Sequence, residues 1–215
     1  CLMRDVAEVT PEEIISFWYP DGLEDAPRDD VLAFWRSRMH GGMDEAIFRD
    51  YADVAEAAAA GHYDPWADDA WGRLALILVL DQFPRSLWRD TPKAYGQDIK
   101  ATRLALEGLK NGHYEALPYI FHRQFYVICI SHCEGPDHLE RMNLCIQMNK
   151  DFAKIARPGE AEAVANGTAQ AERVRGIIER FGRHPHRNPI YGRISTPDEL
   201  TYIETGDFPH VRKED

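Results

Sequence analysis

The chain has 215 residues, and 25 Lys and Arg stand against 36 Asp and Glu, a formal charge of −11. Apolar residues at 44% and charged residues at 28% are globular proportions, which excludes disordered, collagen-like and low-complexity classes. The length fits one domain, and the acidity argues against a duplex-DNA binder, which needs a basic footprint, so no nucleic-acid partner is expected.

In chain order, Cys1 stands where an initiator Met would, so the start reads as trimmed. Thr10-Pro11-Glu12-Glu13 opens the first helix, with Thr as N-cap, Pro in the first turn and Glu closing a capping box. Phe17-Trp18-Tyr19 and Phe34-Trp35 are large anchors expected in the core. Pro20–Asp30 between them reads as irregular. Ile47, Tyr51, Val54, Ala55 and Ala58 form one helical stripe, stopped by Gly61. Asp64-Pro65 signals another start, with Asp68-Asp69 in a solvated first turn. Trp66 and Trp71, five apart, are expected to pack on separate neighbours.

Ala70–Leu80 is apolar nearly all round and predicts a central buried helix. The pattern runs smoothly from Pro65 to Phe83, longer than strands usually run, which rejects a strand. Its apolar core, Leu74–Leu80, falls far short of the roughly 20 residues of a membrane span, and no secretory signal precedes it. A cytoplasmic protein without membrane association is expected.

Thr91-Pro92 signals the next start. Tyr95, Ile99, Thr102, Leu106 and Leu109 predict a helix stopped by Gly112. An aromatic-rich helix follows through Tyr119, Phe125 and Ile130. Leu139–Ala156 is broken at Arg157-Pro158-Gly159, and Glu160–Phe181 carries the stripe Val164, Ala171, Val174, Ile178 and Phe181. Asn188–Ser195 reads as irregular, and Thr196-Pro197-Asp198-Glu199 opens a last helix. The chain is predicted to be a single all-α domain over residues 1–215.

Gly61-His62-Tyr63-Asp64 and Gly112-His113-Tyr114-Glu115 each sit between two helices, so the chain reads as duplicated helical hairpins, with a third over 139–181. Hairpins in series follow the logic of tetratricopeptide-like superhelices, although the strict 34-residue signature is absent. If they stack in parallel, their second helices end on one side. Those ends read Asp81-Gln82-Phe83-Pro84-Arg85, then Ser131-His132-Cys133-Glu134-Gly135, then Arg180-Phe181-Gly182-Arg183-His184-Pro185-His186-Arg187-Asn188. The first and last tips are expected to line one wet recess.

Arg180, Arg183, His184, His186 and Arg187 form the main cationic spot of an acidic chain. Guanidinium groups bind carboxylate or phosphate through two parallel hydrogen bonds, and an imidazole titrates near neutrality. The candidate ligand-binding residues are therefore Asp81, Gln82, Arg85, His132, Glu134, Arg183, His186, Arg187 and Asn188. A structural alternative stands beside this: Arg183 and Arg187 pair with Asp81 and Glu134 and lock the hairpins together.

Four cysteines (Cys1, Cys129, Cys133 and Cys145) are too few for a disulfide framework in a chain this long. Cys129 and Cys133, on one helix face near His132 and His138, are read as buried thiols in preference to a zinc site. No phosphate-binding glycine loop, Gly-x-Ser-x-Gly elbow or His-Glu-x-x-His helix occurs, so no metal and no cofactor is expected.

Phe17-Trp18-Tyr19, DQFPR at 81–85, Phe125 through His132 with Glu134, RFGRHPHRN at 180–188, Gly192-Arg193 and Ser195 through Glu199 together resemble the bacterial family catalogued as domain of unknown function 924. That family is similar in fold to tetratricopeptide-like α-superhelices, and the resemblance covers nearly the whole chain. This chain departs from it at Ser86, Cys133 and His184. The resemblance implies the fold and no activity. Two functions stay open: a binding module for a small anionic molecule or a peptide, and a small enzyme using His186 or His132 as acid or base, oriented by Asp81 or Glu134.

Overall fold

The computed structural model describes residues 5–209, so Cys1 and the start of the chain lie outside the described residues. Twelve α-helices and several short 3-10 turns make up the regular structure there, and no strand forms among the described residues. The chain divides into two compact units. One holds the residues up to Arg89 together with Lys93–Pro118; the other holds Asp90–Pro92 and Tyr119 onward.

The first unit contains α1 (Pro11–Trp18), α2 (Arg28–Met39), α3 (Asp44–Asp50), α4 (Ala52–Ala59), α5 (Ala70–Leu87), α6 (Asp98–Lys110) and α7 (His113–Ala116). Helix α5 is its axis, and α1, α3, α4, α6 and α7 all pack against it. Every residue from Leu74 to Leu80 is buried, as the continuous apolar run predicts. Full burial of such side chains stabilises by about 1.5–3 kcal/mol each. Asp69 caps α5 by accepting the N–H groups of Trp71 and Gly72, so it orders the first turn and is not merely solvated there. The 3-10 turn Asp64–Asp68 lies so close that a Cβ at Gly72 would overlap the Trp66 carbonyl oxygen. Trp66 stacks on Tyr63 with centroids 4.2 Å apart, whereas Trp71 is exposed, so the two do find different surroundings.

Two expectations need correction here. The stripe from Ile47 to Ala58 is two helices, because the chain bends at Tyr51. Tyr51 turns inward against Phe17 and Phe83, and its hydroxyl donates to Glu13. In α6 the buried face is Ala101, Thr102, Leu104, Ala105 and Gly108, while Ile99 is exposed. Small residues on that face let α6 approach α5 closely, which periodicity of large side chains does not reveal. Helix α5 carries DQFPR in its last turns, as expected, and runs on to Leu87 with Pro84 inside, since burial of Phe83 and Leu87 draws the last turn onto the core.

The second unit contains α8 (Ile120–His132), α9 (His138–Phe152), α10 (Ala161–Phe181), α11 (Asn188–Tyr191) and α12 (Pro197–Glu204). α9 packs on both α8 and α10. The Leu-rich helix α6 and the aromatic helix α8, paired as a hairpin by the sequence, belong to different units: α6 packs on α5 and α7, and α8 on α9. Gly182 ends α10 in the left-handed region at φ 71°. The segment Asn188–Ser195 is less irregular than its composition suggests, because α11 forms within it. Thr196 and Glu199 complete the capping box of α12.

Candidate functional site

Asp81, Gln82 and Arg85 occupy the last turns of α5 in the first unit. Asp81 and Arg85 are one turn apart, and Arg85 Nη1 lies 3.1 Å from the Asp81 carboxylate. Its Nη2 donates to Asp98, the first residue of α6, at 2.8 Å. Gln82 donates its amide N–H to Asp81 at 2.5 Å. Asp81 and Asp98 are both buried. Burial disfavours the Arg85 charge, but the two carboxylates outweigh it and hold the guanidinium above its ordinary value. This is an internal ion triad tying α5 to α6.

In the second unit the polar residues gather where α8 ends, α9 begins and the chain leaves α10. α8 stops at His132, and Cys133 is already extended. Cys129 and Cys133 therefore do not share a helix face as expected; both are buried, and the Cys133 thiol donates to the Glu134 carbonyl at 3.4 Å. Side chains from α9 serve the last carbonyls of α8. Arg141 Nη1 donates to Ile130 at 2.8 Å, and His138 Nε2–H donates to Ser131 at 2.9 Å. Helix C-termini leave such carbonyls without intrahelical partners, and a cation there is favoured by the dipole.

Glu134 is the hub of the loop. One carboxylate oxygen accepts the His184 backbone N–H at 2.7 Å and the other accepts Arg193 Nη2 at 2.6 Å. Burial would raise its pKa, but Arg193, the His184 N–H and the charge of Arg187 together hold it below the usual carboxylate range. The imidazoles of His138, His184 and His186 form a chain, with centroids 5.3 Å apart at each step. His138 and His184 are fully buried. Burial, with Arg187 nearby, pushes both His138 and His186 down to about 4, so both are neutral at pH 7. Buried His132 lies near enough to His186 to disfavour its protonation. Phe208 stacks on the outer face of His186 at 5.0 Å.

Arg183 departs from the structural pairing predicted for it. Within its unit it does not fork onto Glu134, whose charge acts on it only through space. Its Nε and Nη2 fork onto the two oxygens of Glu199 at 2.6 and 2.8 Å. Glu199 is pushed down to about 2, chiefly by that fork, with further help from the Thr196 N–H and from Asn188. The sequence marks Glu199 only as a cap and Arg193 only as part of a family block, because each finds its partner through the turns after α10. His132, Glu134, His186 and Arg187 thus share one electrostatic neighbourhood, and Asn188 follows directly in α11. Several buried polar atoms here have no hydrogen-bond partner: His138 Nδ1, His186 Nδ1, Asn188 Oδ1 and Arg193 Nη1. Among the described residues no cluster of three or more His, Cys, Asp or Glu is placed to hold a metal ion, and no helix is long and apolar enough to cross a membrane.

A sequence profile of the family described as bacterial protein of unknown function (DUF924) matches residues 14–207. The chain is similar to the solved structure of a protein of unknown function, ATU0120 from Agrobacterium tumefaciens. The two are 31% identical over 94% of this chain and 100% of that one, with a TM-score of 0.70. No curated protein matches the chain.

Proposed function

Since the chain belongs to the DUF924 family of bacterial proteins of unknown function, we propose on physical grounds that its second unit binds a small anionic molecule or a peptide carboxylate at the cluster of His132, Glu134, Arg183, His186, Arg187 and Asn188. One observation carries this. Four polar atoms of that neighbourhood, on His138, His186, Asn188 and Arg193, are buried without hydrogen bonds. Buried polar atoms almost always find a partner, and each one left alone costs about 1–3 kcal/mol. Two ring nitrogens, an amide oxygen and a guanidinium N–H suit a ligand that both donates and accepts, and Arg187 supplies the positive charge.

Asp81, Gln82 and Arg85 are left out of this proposal, because their charges are spent on one another and on Asp98. The neighbour-on-neighbour packing of α4, α5 and α6, and of α8, α9 and α10, supports a tetratricopeptide-like arrangement of hairpins within each unit. Buried thiols at Cys129 and Cys145 suit a reducing cytoplasm. Acid–base catalysis by His186 is the less favoured reading, since a ring held down at about 4 is a weak base at pH 7.

Calorimetry with inorganic phosphate and with an N-acetylated tripeptide bearing a free carboxylate tests the proposal. Wild type should bind at least one of the two, and Arg187→Gln should bind it about tenfold more weakly or worse, the scale of a lost charged hydrogen bond. Absence of binding by wild type, or equal binding by Arg187→Gln, overturns it.

A further inference from the structure

The first unit carries a different cationic group. Arg38 lies near the end of α2, on the same face as Val31 and Trp35, and is 8% exposed. Aromatic rings surround it. Its guanidinium carbon is 4.3 Å from the Phe34 centroid, 5.0 Å from Trp18 and 6.0 Å from Phe17. Nη2 donates to the Phe17 carbonyl at 2.9 Å. Nε and Nη1 are buried and have no hydrogen-bond partner.

Arg73, Arg85 and Arg141 are furnished with acceptors. Arg73 donates to His113 and to the carbonyls of Leu104 and Ala67. Arg85 faces two carboxylates, and Arg141 faces Asp137 and the Ile130 carbonyl. Burial pulls the Arg38 pKa down to about 10, opposed by the Tyr19 phenol, and among the described residues no carboxylate is paired with it. The rings pack near the guanidinium and offer its N–H groups no acceptor, so an oxyanion that reached Nε and Nη1 would supply the bonds they lack. A buried cation lacking a counter-charge is costly, and an arriving anion would remove that cost.

We infer that Arg38 is the seat of a second ligand site, for a monocarboxylate with an apolar body. The single positive charge matches one negative charge, so a phosphate dianion would leave charge uncompensated. Phe17 and Phe34, both part-exposed, offer the apolar body a surface of matching kind. The site stands on the first unit alone and does not depend on the anion site proposed for the second.

Benzoate is the probe, titrated calorimetrically into the full chain, into Arg38→Met and into Arg36→Met, whose residue is on the exposed side of the same helix. Wild type and Arg36→Met should bind alike, and Arg38→Met about tenfold more weakly or worse. Inorganic phosphate should not compete. Wild type labelled with 15N-arginine gives a reading that needs no variant: benzoate should shift the Nε–H resonance connected through bonds to the Arg38 backbone. If Arg38→Met does not fold, that resonance decides alone. An unmoved Arg38 resonance, equal benzoate binding by a folded Arg38→Met, or reversal of the Arg38 resonance shift by phosphate overturns the inference.

Discussion

The Glu134 carboxylate accepts the backbone N–H of His184 at 2.7 Å, joining two points fifty residues apart in the chain. Its other oxygen holds Arg193. The loop after α8 is thereby tied to the segment leaving α10, and the imidazoles of His184 and His186 are held against His138. Glu134→Gln keeps an acceptor for the amide and removes the charge. The variant should be less stable than wild type by about 1–3 kcal/mol at pH 7, which lowers the melting temperature by roughly 2–4 °C per kcal/mol. Glu134 has a lowered pKa in the folded state, so its contribution is present above about pH 4.3 and disappears as pH falls through the folded value. The gap between the two melting curves should therefore be widest at neutral pH and narrow below pH 4.3.

The fork between Arg183 and Glu199 has a second acid window. Glu199, pushed down to about 2, stabilises the fold above about pH 4.3, and that contribution fades between there and pH 2. A double-mutant cycle with Arg183→Met and Glu199→Gln should give a coupling of about 1 kcal/mol at pH 7, modest because the Arg183 end is partly solvated. Coupling near zero at pH 7 contradicts the pairing.

His138 and His186 act in the same direction by a different route. Each is lowered to about 4 when folded and titrates near 6.5 when unfolded, so the unfolded chain binds more protons between those values. Their neutral burial adds stability above pH 6.5, and that stability is lost as pH falls toward 4. Urea midpoints should drop across this interval, and His186→Gln should drop less steeply. The Cε1–H resonances of both rings should titrate near pH 4; midpoints near 6.5 contradict the burial.

In the first unit, Arg85→Ala leaves Asp81 and Asp98 buried without their cation and should cost about 3–5 kcal/mol. Adding Asp98→Asn should recover part of that loss, because one stranded charge is gone. Urea denaturation of the single and double variants measures both numbers. Additive losses contradict the triad.

Helix content was legible because it depends on local spacing and caps. Thr10, Thr196 and the apolar run Leu74–Leu80 carry their own signals, and the structure follows them. The bend at Tyr51 was not legible, since the pull comes from Phe17 and Phe83 elsewhere in the sequence. The same holds for the extension of α5 past Pro84, which rests on the burial of Leu87. Composition pointed to the Arg and His cluster, of which Arg183 is paired with Glu199 and His186 is held neutral at pH 7. The partners escaped, because Arg193 and Glu199 come from turns whose path no periodicity describes. Arg38 escaped for a simpler reason: one arginine beside Phe34-Trp35 looks like any amphipathic helix face until its missing counter-ion is visible.

The most direct measurement is a proton–nitrogen spectrum of the histidine rings while phosphate, and separately the acetylated tripeptide, is added to the full chain at pH 7. With either ligand, the ring nitrogens of His138 and His186 should shift together and saturably, at concentrations up to about 10 mM, the range of weak small-ligand affinities. Ring signals that stay fixed with both ligands across that range contradict an anion site in the second unit.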